Sequence, residues 1–354
     1  MNVIFFSQGK TLEVFLEVYR RLQSKIVFGK VAFYVTGKSY YKSFILKNPN
    51  FEEEFKVLKE WEIYELLENH VPNYKIISKY EKILGDPTIW SPIVTDRRLF
   101  HGKRATFFQD YKPYFDIDSI KSIIQIGSEQ IEKLFDDINP DVIFTLYTNT
   151  FGDCLGHQFA LSRNIQAFDL RLSRLKNYVM LVDGVEEPPP HIEKLYNTFI
   201  KSQKVIDDSE IEDYLDKVRK GRLMYEGVVN PDFKKRATKS FNLSKLYKAL
   251  KLLRSSLQYS NYDLDPQQPN LFNKLYHKFF YNPFNAKMIN FRLSRDLISE
   301  SFLIENDYIL YPLHTEPELV LSQFARPYLN QIEVIRNISL SIPLSKALVV
   351  KEHP

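Results

Sequence analysis

The chain has 354 residues, 44% of them hydrophobic and 26% charged, a globular composition with room for one complete domain, a connection and part of another. A formal net charge of +4 makes no general case for a nucleic-acid partner. The single cysteine, Cys154, excludes an intramolecular disulfide and points to a reducing compartment, with Cys154 read as a small buried hydrophobe.

The opening residues, with Val3–Phe6 apolar, form too short a run for a signal peptide, and no stretch reaches the roughly 18 uninterrupted apolar residues of a membrane span. A cytoplasmic protein is the expectation. Val3 to Phe6 reads as a buried strand, the Gln8-Gly9-Lys10 turn follows, and Leu12, Phe15, Leu16, Tyr19 and Leu22 mark one face of a helix. Val31 to Val35 is a second strand, ending at Gly37. Charged helices are expected from Phe51 to Tyr80, then a loop rich in Pro, Trp and basic residues from Gly85 to Arg104. Ser119 to Ile138 reads as a long helix, Asp141 to Thr145 as a buried strand, Asp153 to Ser162 as a helix and Ile165 to Leu170 as a strand. Strands alternating with helices in this way imply a doubly wound parallel sheet over residues 1–190. Aromatic residues make up 14% of the chain, and in bulk they predict core rather than sugar contacts.

Beyond Pro188-Pro189-Pro190 the strand signal fades, and residues 191–304 read as a helical insert and connection. Within it, Lys234 to Arg254 holds eight Lys or Arg and no acid. A contact with an anionic membrane surface or acidic glycan is one reading, and a solvated helix face is the plainer one. Residues 305–354 start a second domain. Tyr308 to Tyr311 is a strand, Leu319 to Leu340 reads as a helix, and Ala347 to Val350 is another strand. This is a βαβ unit, so the loops after both strands lie on one edge of a parallel sheet, where ligands bind. Those loops read Pro312-Leu313-His314-Thr315-Glu316-Pro317-Glu318 and Lys351-Glu352-His353-Pro354. Pro354 suits the first turn of a helix, whose free N–H groups favour an anion. The helix expected there lies beyond residue 354, so this domain is expected to be incomplete and the chain as it stands not to transfer sugar.

The run "YPLHTEPE", a helical stretch and then "VVKEHP" resemble the carboxyl-terminal domain of the capsule polysaccharide biosynthesis family, which includes the Kdo transferases of bacterial capsule assembly. The His-Pro pair also resembles that of bacterial sialyltransferases. "VIFFSQGKTLEVFLEVYRRL" is similar to the family's first strand and helix, and "FDLRLSRLKNYVMLVD" to its segment carrying an Arg and an Asn. The resemblance implies a GT-B-like α/β protein with two Rossmann-like doubly wound domains. It implies a glycosyltransferase of capsular or surface-polysaccharide biosynthesis that takes a nucleotide-sugar, a CMP-sugar such as CMP-Kdo, and acts on a glycan or glycolipid acceptor. A nucleotide-sugar 2-epimerase of the same architecture is the alternative enzyme. A non-catalytic glycan-binding or assembly protein is the alternative outside enzymes.

Under that resemblance His353 and Pro354 meet the donor phosphate. Lys351 beside them would neutralise the leaving group as charge develops, and His353 can donate a proton or hydrogen bond near neutral pH. The alternative is a His353 that caps a strand end. His314, Glu316 and Glu318 sit in the neighbouring loop, where carboxylates can hold ribose or sugar hydroxyls, or Glu318 can cap the following helix. Acceptor contacts are expected from Gln8, Gly9, Asp96, Arg97, Asp169, Arg171, Arg174 and Asn177, with Asp96-Arg97-Arg98 equally readable as a surface salt bridge. Asp153 is the candidate acceptor base or nucleophile, against helix capping. No DxD pair or His/Cys/Asp cluster stands out, so no obligatory metal or other cofactor is expected. Peripheral contact with the inner membrane surface completes the expected partners.

Overall fold

Val3–Gln8 (β1) and Val31–Thr36 (β2) are near-continuous apolar runs, and the computed structural model buries both almost completely, as expected of central strands in a sheet covered on each face. The structure describes residues 1–85, 89–96, 99, 115–173, 178–183, 190–202, 209–220, 280–293, 297–314, 321–322 and 325–351. Two units are distinguished, Met1–Pro92 with Ile117–Asn230 and Ile93–Asp116 with Pro231–Pro354.

The first unit is α/β with a mostly parallel six-stranded sheet. After β1 and β2, its strands are Lys56–Lys59 (β3), Val142–Leu146 (β4), Gln166–Leu172 (β5) and Val179–Val182 (β6), in the order β3-β2-β1-β4-β5-β6. All neighbours are parallel except β5 and β6. The order reverses between β1 and β4, which is the topological switch point where such sheets open a crevice at their carboxyl ends.

Register and side-chain alternation explain part of the aromatic content. Phe5 lies opposite Phe33 and Phe144, and Phe144 opposite Phe168. Their rings stack across four strands at centroid separations of 5.1, 5.5 and 5.7 Å. Helix Thr11–Leu22 (α1) adds Phe15 at 5.3 Å from Phe5 on the same face. Phe6 and Tyr34 point to the other face and stack at 5.2 Å. The helix over that face is Phe151–Ser162, which connects β4 to β5, and two glycines let it come close. A Cβ on Gly152 would overlap the Tyr34 ring and one on Gly156 the Phe6 ring. One turn apart, the two residues share a helix face.

The sequence expectation is corrected in three places. Phe51 to Tyr80 is not helical throughout: Lys56–Lys59 forms the edge strand β3, between Phe51–Glu54 (helix) and Glu60–Glu65 (helix). Four residues are too few for a periodic signal, and the lysines at its ends suit an edge. A strand, β6, follows β5 and is antiparallel. Leu319 to Leu340 is not one helix: its described part carries a 3₁₀ turn at Arg326–Tyr328 and an α-helix only over Gln331–Ser341. Pro327 lacks the N–H a continuous helix needs, and Asn330 caps the new one by accepting from Glu333 N at 3.3 Å.

In the second unit Tyr308–Pro312 (β7) and Ala347–Lys351 (β8) form a two-stranded parallel sheet, with Tyr308 opposite Ala347 and Pro312 opposite Lys351. Ile309 and Leu310 of β7 are 38% and 50% exposed, against full burial of Ile4 and Ile143 in the first sheet. Described helices of the 191–304 region include Pro190–Ser202, Ser209–Arg219, Asn282–Leu293 and Glu300–Glu305. Lys234 to Arg254 lies outside the described residues. No described helix is long and apolar enough to cross a membrane.

Candidate functional site

At the switch point, β1 ends on Gln8 and Gly9 turns the chain with φ 50°. Gln8 is held from both sides of that turn. Its backbone N–H donates to Thr11 Oγ1 at 2.7 Å, and its Nε2 donates to Asn149 Oδ1 at 2.8 Å and to Asp153 Oδ2. Asp153 also accepts from Thr150 Oγ1 at 2.8 Å. Thr150 is the N-cap of the Phe151–Ser162 helix, and its hydroxyl accepts from Asp153 N at 3.4 Å. The structure thus brings Gln8 and Asp153 together, with Asp153 fully buried and its carboxylate accepting from the Gln8 amide and the Thr150 hydroxyl.

The loop between β4 and this helix is the part that sequence reasoning missed. Tyr147 and Thr148 both take left-handed backbone, φ 62° and 39°, a conformation that costs roughly 1–2 kcal/mol per non-glycine residue. The loop is pinned to sustain it. Leu172 N donates to Tyr147 Oη at 3.1 Å, Cys154 Sγ donates to Thr148 O at 3.2 Å, and the Thr145 and Thr148 hydroxyls lie 3.2 Å apart. Strain retained by a well-tied loop at a sheet's carboxyl edge marks a functional candidate. The available signal was the polar run Thr148-Asn149-Thr150 soon after an apolar strand.

One strand over, Asp169 and Arg171 also come together. Arg171 Nε donates to Asp169 Oδ2 at 2.8 Å, and Thr145 Oγ1 donates to Asp169 Oδ1 at 3.1 Å. Asp169 has no exposed surface. His157, one helical turn beyond Asp153, was also missed. It is 6% exposed, its Nδ1 has no hydrogen-bond partner among the described residues, and burial holds its pKa below the ordinary imidazole value. Asp169 pulls that pKa up and Arg171 pushes it down. On the far side of the switch point, Tyr34 Oη donates to the fully buried Glu60 at 3.1 Å.

In the second unit, the register of β7 with β8 places His314 and Lys351 at the same end of the sheet. Leu313 N donates to Lys351 O at 2.8 Å. The Gln331 side chain, buried at the start of its helix, clamps the loop by accepting from His314 N at 2.7 Å and donating to His314 O at 3.0 Å. Asp96 belongs to this unit's residues and is buried; its backbone N–H donates to Ile93 O at 3.2 Å. Arg97, Arg174, Asn177, Glu316, Glu318, His353 and Pro354 lie outside the described residues. Among the described residues no three His, Cys, Asp or Glu side chains group to hold a metal ion.

No family model matches this chain, and no curated protein or solved structure does so at a significant level.

Proposed function

We propose that the chain belongs to a GT-B-type glycosyltransferase of capsular or surface-polysaccharide assembly. It takes its sugar from a nucleotide-sugar, CMP-Kdo by the resemblance of its motifs, and passes it to a glycan or glycolipid. The observation that carries this reading is the parallel pairing of β7 with β8, with Pro312 opposite Lys351, which supports a shared donor edge for His314 and Lys351. A cation at the carboxyl end of a parallel strand offsets the charge that develops on a departing phosphate. His353, Pro354, Glu316 and Glu318 are assigned to the same donor site by the resemblance alone.

The acceptor is assigned to the switch-point edge, with Gln8, Gly9, Asp169 and Arg171 as contacts, and with Arg174 and Asn177 from the resemblance. Asp153 is the proposed base. Because it is fully buried, proton abstraction by it requires the Gln8 or Asn149 loop to move. The reaction is proposed to need no metal and to take place in the cytoplasm, at the inner membrane surface.

Lys351 is exposed, so its replacement tests the site without disturbing a core. Lys351→Met should weaken CMP binding by roughly ten- to hundredfold, the worth of one charge-assisted hydrogen bond. Unchanged affinity in the variant would remove Lys351 from the donor site.

A further inference from the structure

β6 closes one edge of the first unit's sheet, and its outer side has no neighbouring strand among the described residues. Its pairing with β5 fixes which backbone groups lie on that side. Ser173 N donates to Tyr178 O at 3.0 Å, so in the antiparallel register Arg171 with Met180 and Asp169 with Val182 are the next hydrogen-bonded pairs. The N–H and C=O groups of Val179 and Leu181 therefore point away from β5, and no described residue bonds to them there. The side chains of the same two residues are 52% and 39% exposed, and Leu172, opposite Val179, is exposed as well. The sheet's other edge strand, β3, carries a lysine at each end, a device that keeps an open edge from pairing. From Tyr178 to Val182 there is no charged residue. An open, uncharged and apolar edge is a template for another strand.

We propose that β6 is a self-pairing edge: two copies of the chain join their sheets through antiparallel pairing of β6 with β6 about a two-fold axis at Met180. Register and charge both favour a second copy over another partner. A two-fold axis makes identical strands antiparallel, and one centred on Met180 sets Val179 of each copy opposite Leu181 of the other. Those are the residues whose N–H and C=O groups point outward, so each outward donor meets an outward acceptor. Their exposed side chains meet on one face of the joined sheet, which removes apolar surface from water. In sequence, Arg174 and Lys176 precede the strand, and Asp183, Glu186 and Glu187 follow it. Antiparallel pairing sets the basic flank of each copy beside the acidic flank of the other, whereas parallel pairing would set like beside like. The pairing stands apart from the proposed sugar transfer and holds whether or not that reaction occurs.

Disulfide trapping in the full chain tests the register. Met180→Cys sets two cysteines opposite each other at a non-hydrogen-bonded position, where Cα atoms lie about 4.5 Å apart and a disulfide can close. The native Cys154 is buried and does not compete. Under mild oxidation Met180→Cys should give a dimer band on a non-reducing gel well before Ser24→Cys, a control at an exposed site elsewhere. Leu181→Pro added to Met180→Cys should abolish the band, because it removes an outward N–H while leaving the ladder with β5 whole. In sedimentation the unaltered chain should form a dimer that dissociates on dilution, and Leu181→Pro should remain a monomer. An unaltered chain that is monomeric throughout, trapping at Met180→Cys no faster than at Ser24→Cys, or a dimer that survives Leu181→Pro would overturn the pairing. If the proline variant fails to fold, the rate of trapping at Met180→Cys against Ser24→Cys decides alone.

Discussion

Gly152 and Gly156 show how single residues set the position of the candidate site. Both put backbone where a side chain would overlap a buried aromatic ring, Tyr34 or Phe6, so the helix bearing Asp153 and His157 sits close to the sheet. Gly152→Ala should cost about 1–3 kcal/mol, the usual penalty of overpacking. Denaturant unfolding measures it, and an unchanged midpoint would show that Tyr34 can step aside. Asp153→Ala should cost a similar amount, about 1–3 kcal/mol, by leaving Gln8 and Thr150 without their shared acceptor. His157 gives a pH dependence with a definite sign. Its folded pKa lies below the value of about 6.5 expected in the unfolded chain, mainly through burial. Above that pH neither state is protonated there, and as pH falls below it the unfolded state takes up the proton first. Stability therefore declines on the acid side. His157→Gln should flatten that decline as pH falls below about 6.5, and unfolding curves with the same acid slope in both proteins would contradict the assignment.

Among elements, those with long apolar runs or full helical periods could be read directly. β1 and β2 declare themselves because both their faces are covered and few polar residues interrupt them, and β4 is nearly as apolar, whereas β5, with Gln166, Asp169 and Arg171 among its seven residues, is legible from its place in the strand–helix alternation. β3 could not be read, since Lys56 to Lys59 has the composition of the charged helices around it and becomes a strand only by pairing with β2. Isoleucines 332, 335 and 338 do lie on a helix, but the spacing that extended it back through Tyr328 ignored Pro327. Pro327→Ala should let helix form further toward the amino terminus. Slower hydrogen exchange at Tyr328 and Leu329 would show it, and unchanged exchange would assign the break to the Asn330 cap instead. The candidate site divides in the same way. Gln8, Asp153, Asp169 and Arg171 were legible as polar residues within or soon after apolar strands, whereas Tyr147 and Thr148 matter through left-handed backbone that no side-chain pattern announces. His157 was hidden because its meaning depends on a helix seated by two glycines.

At the scale of the whole molecule, the first unit carries a sheet whose central strands β1 and β2 are covered on both faces, and the second a two-stranded sheet with exposed apolar residues. Burial on that scale governs local opening, so the amides of Ile309 and Leu310 should exchange faster than those of Phe144 and Thr145. Equal protection would show that the smaller sheet is as firmly covered as the larger. The edges proposed for acceptor and donor both lie at the carboxyl ends of parallel strands, and the proposal that they serve one reaction rests on the donor. Calorimetric titration of the chain with CMP, UDP and GDP, in the presence of a metal chelator, tests that claim most directly. The account predicts that CMP binds more tightly than UDP or GDP and does so without metal; absence of CMP binding, or a preference for UDP, would contradict it.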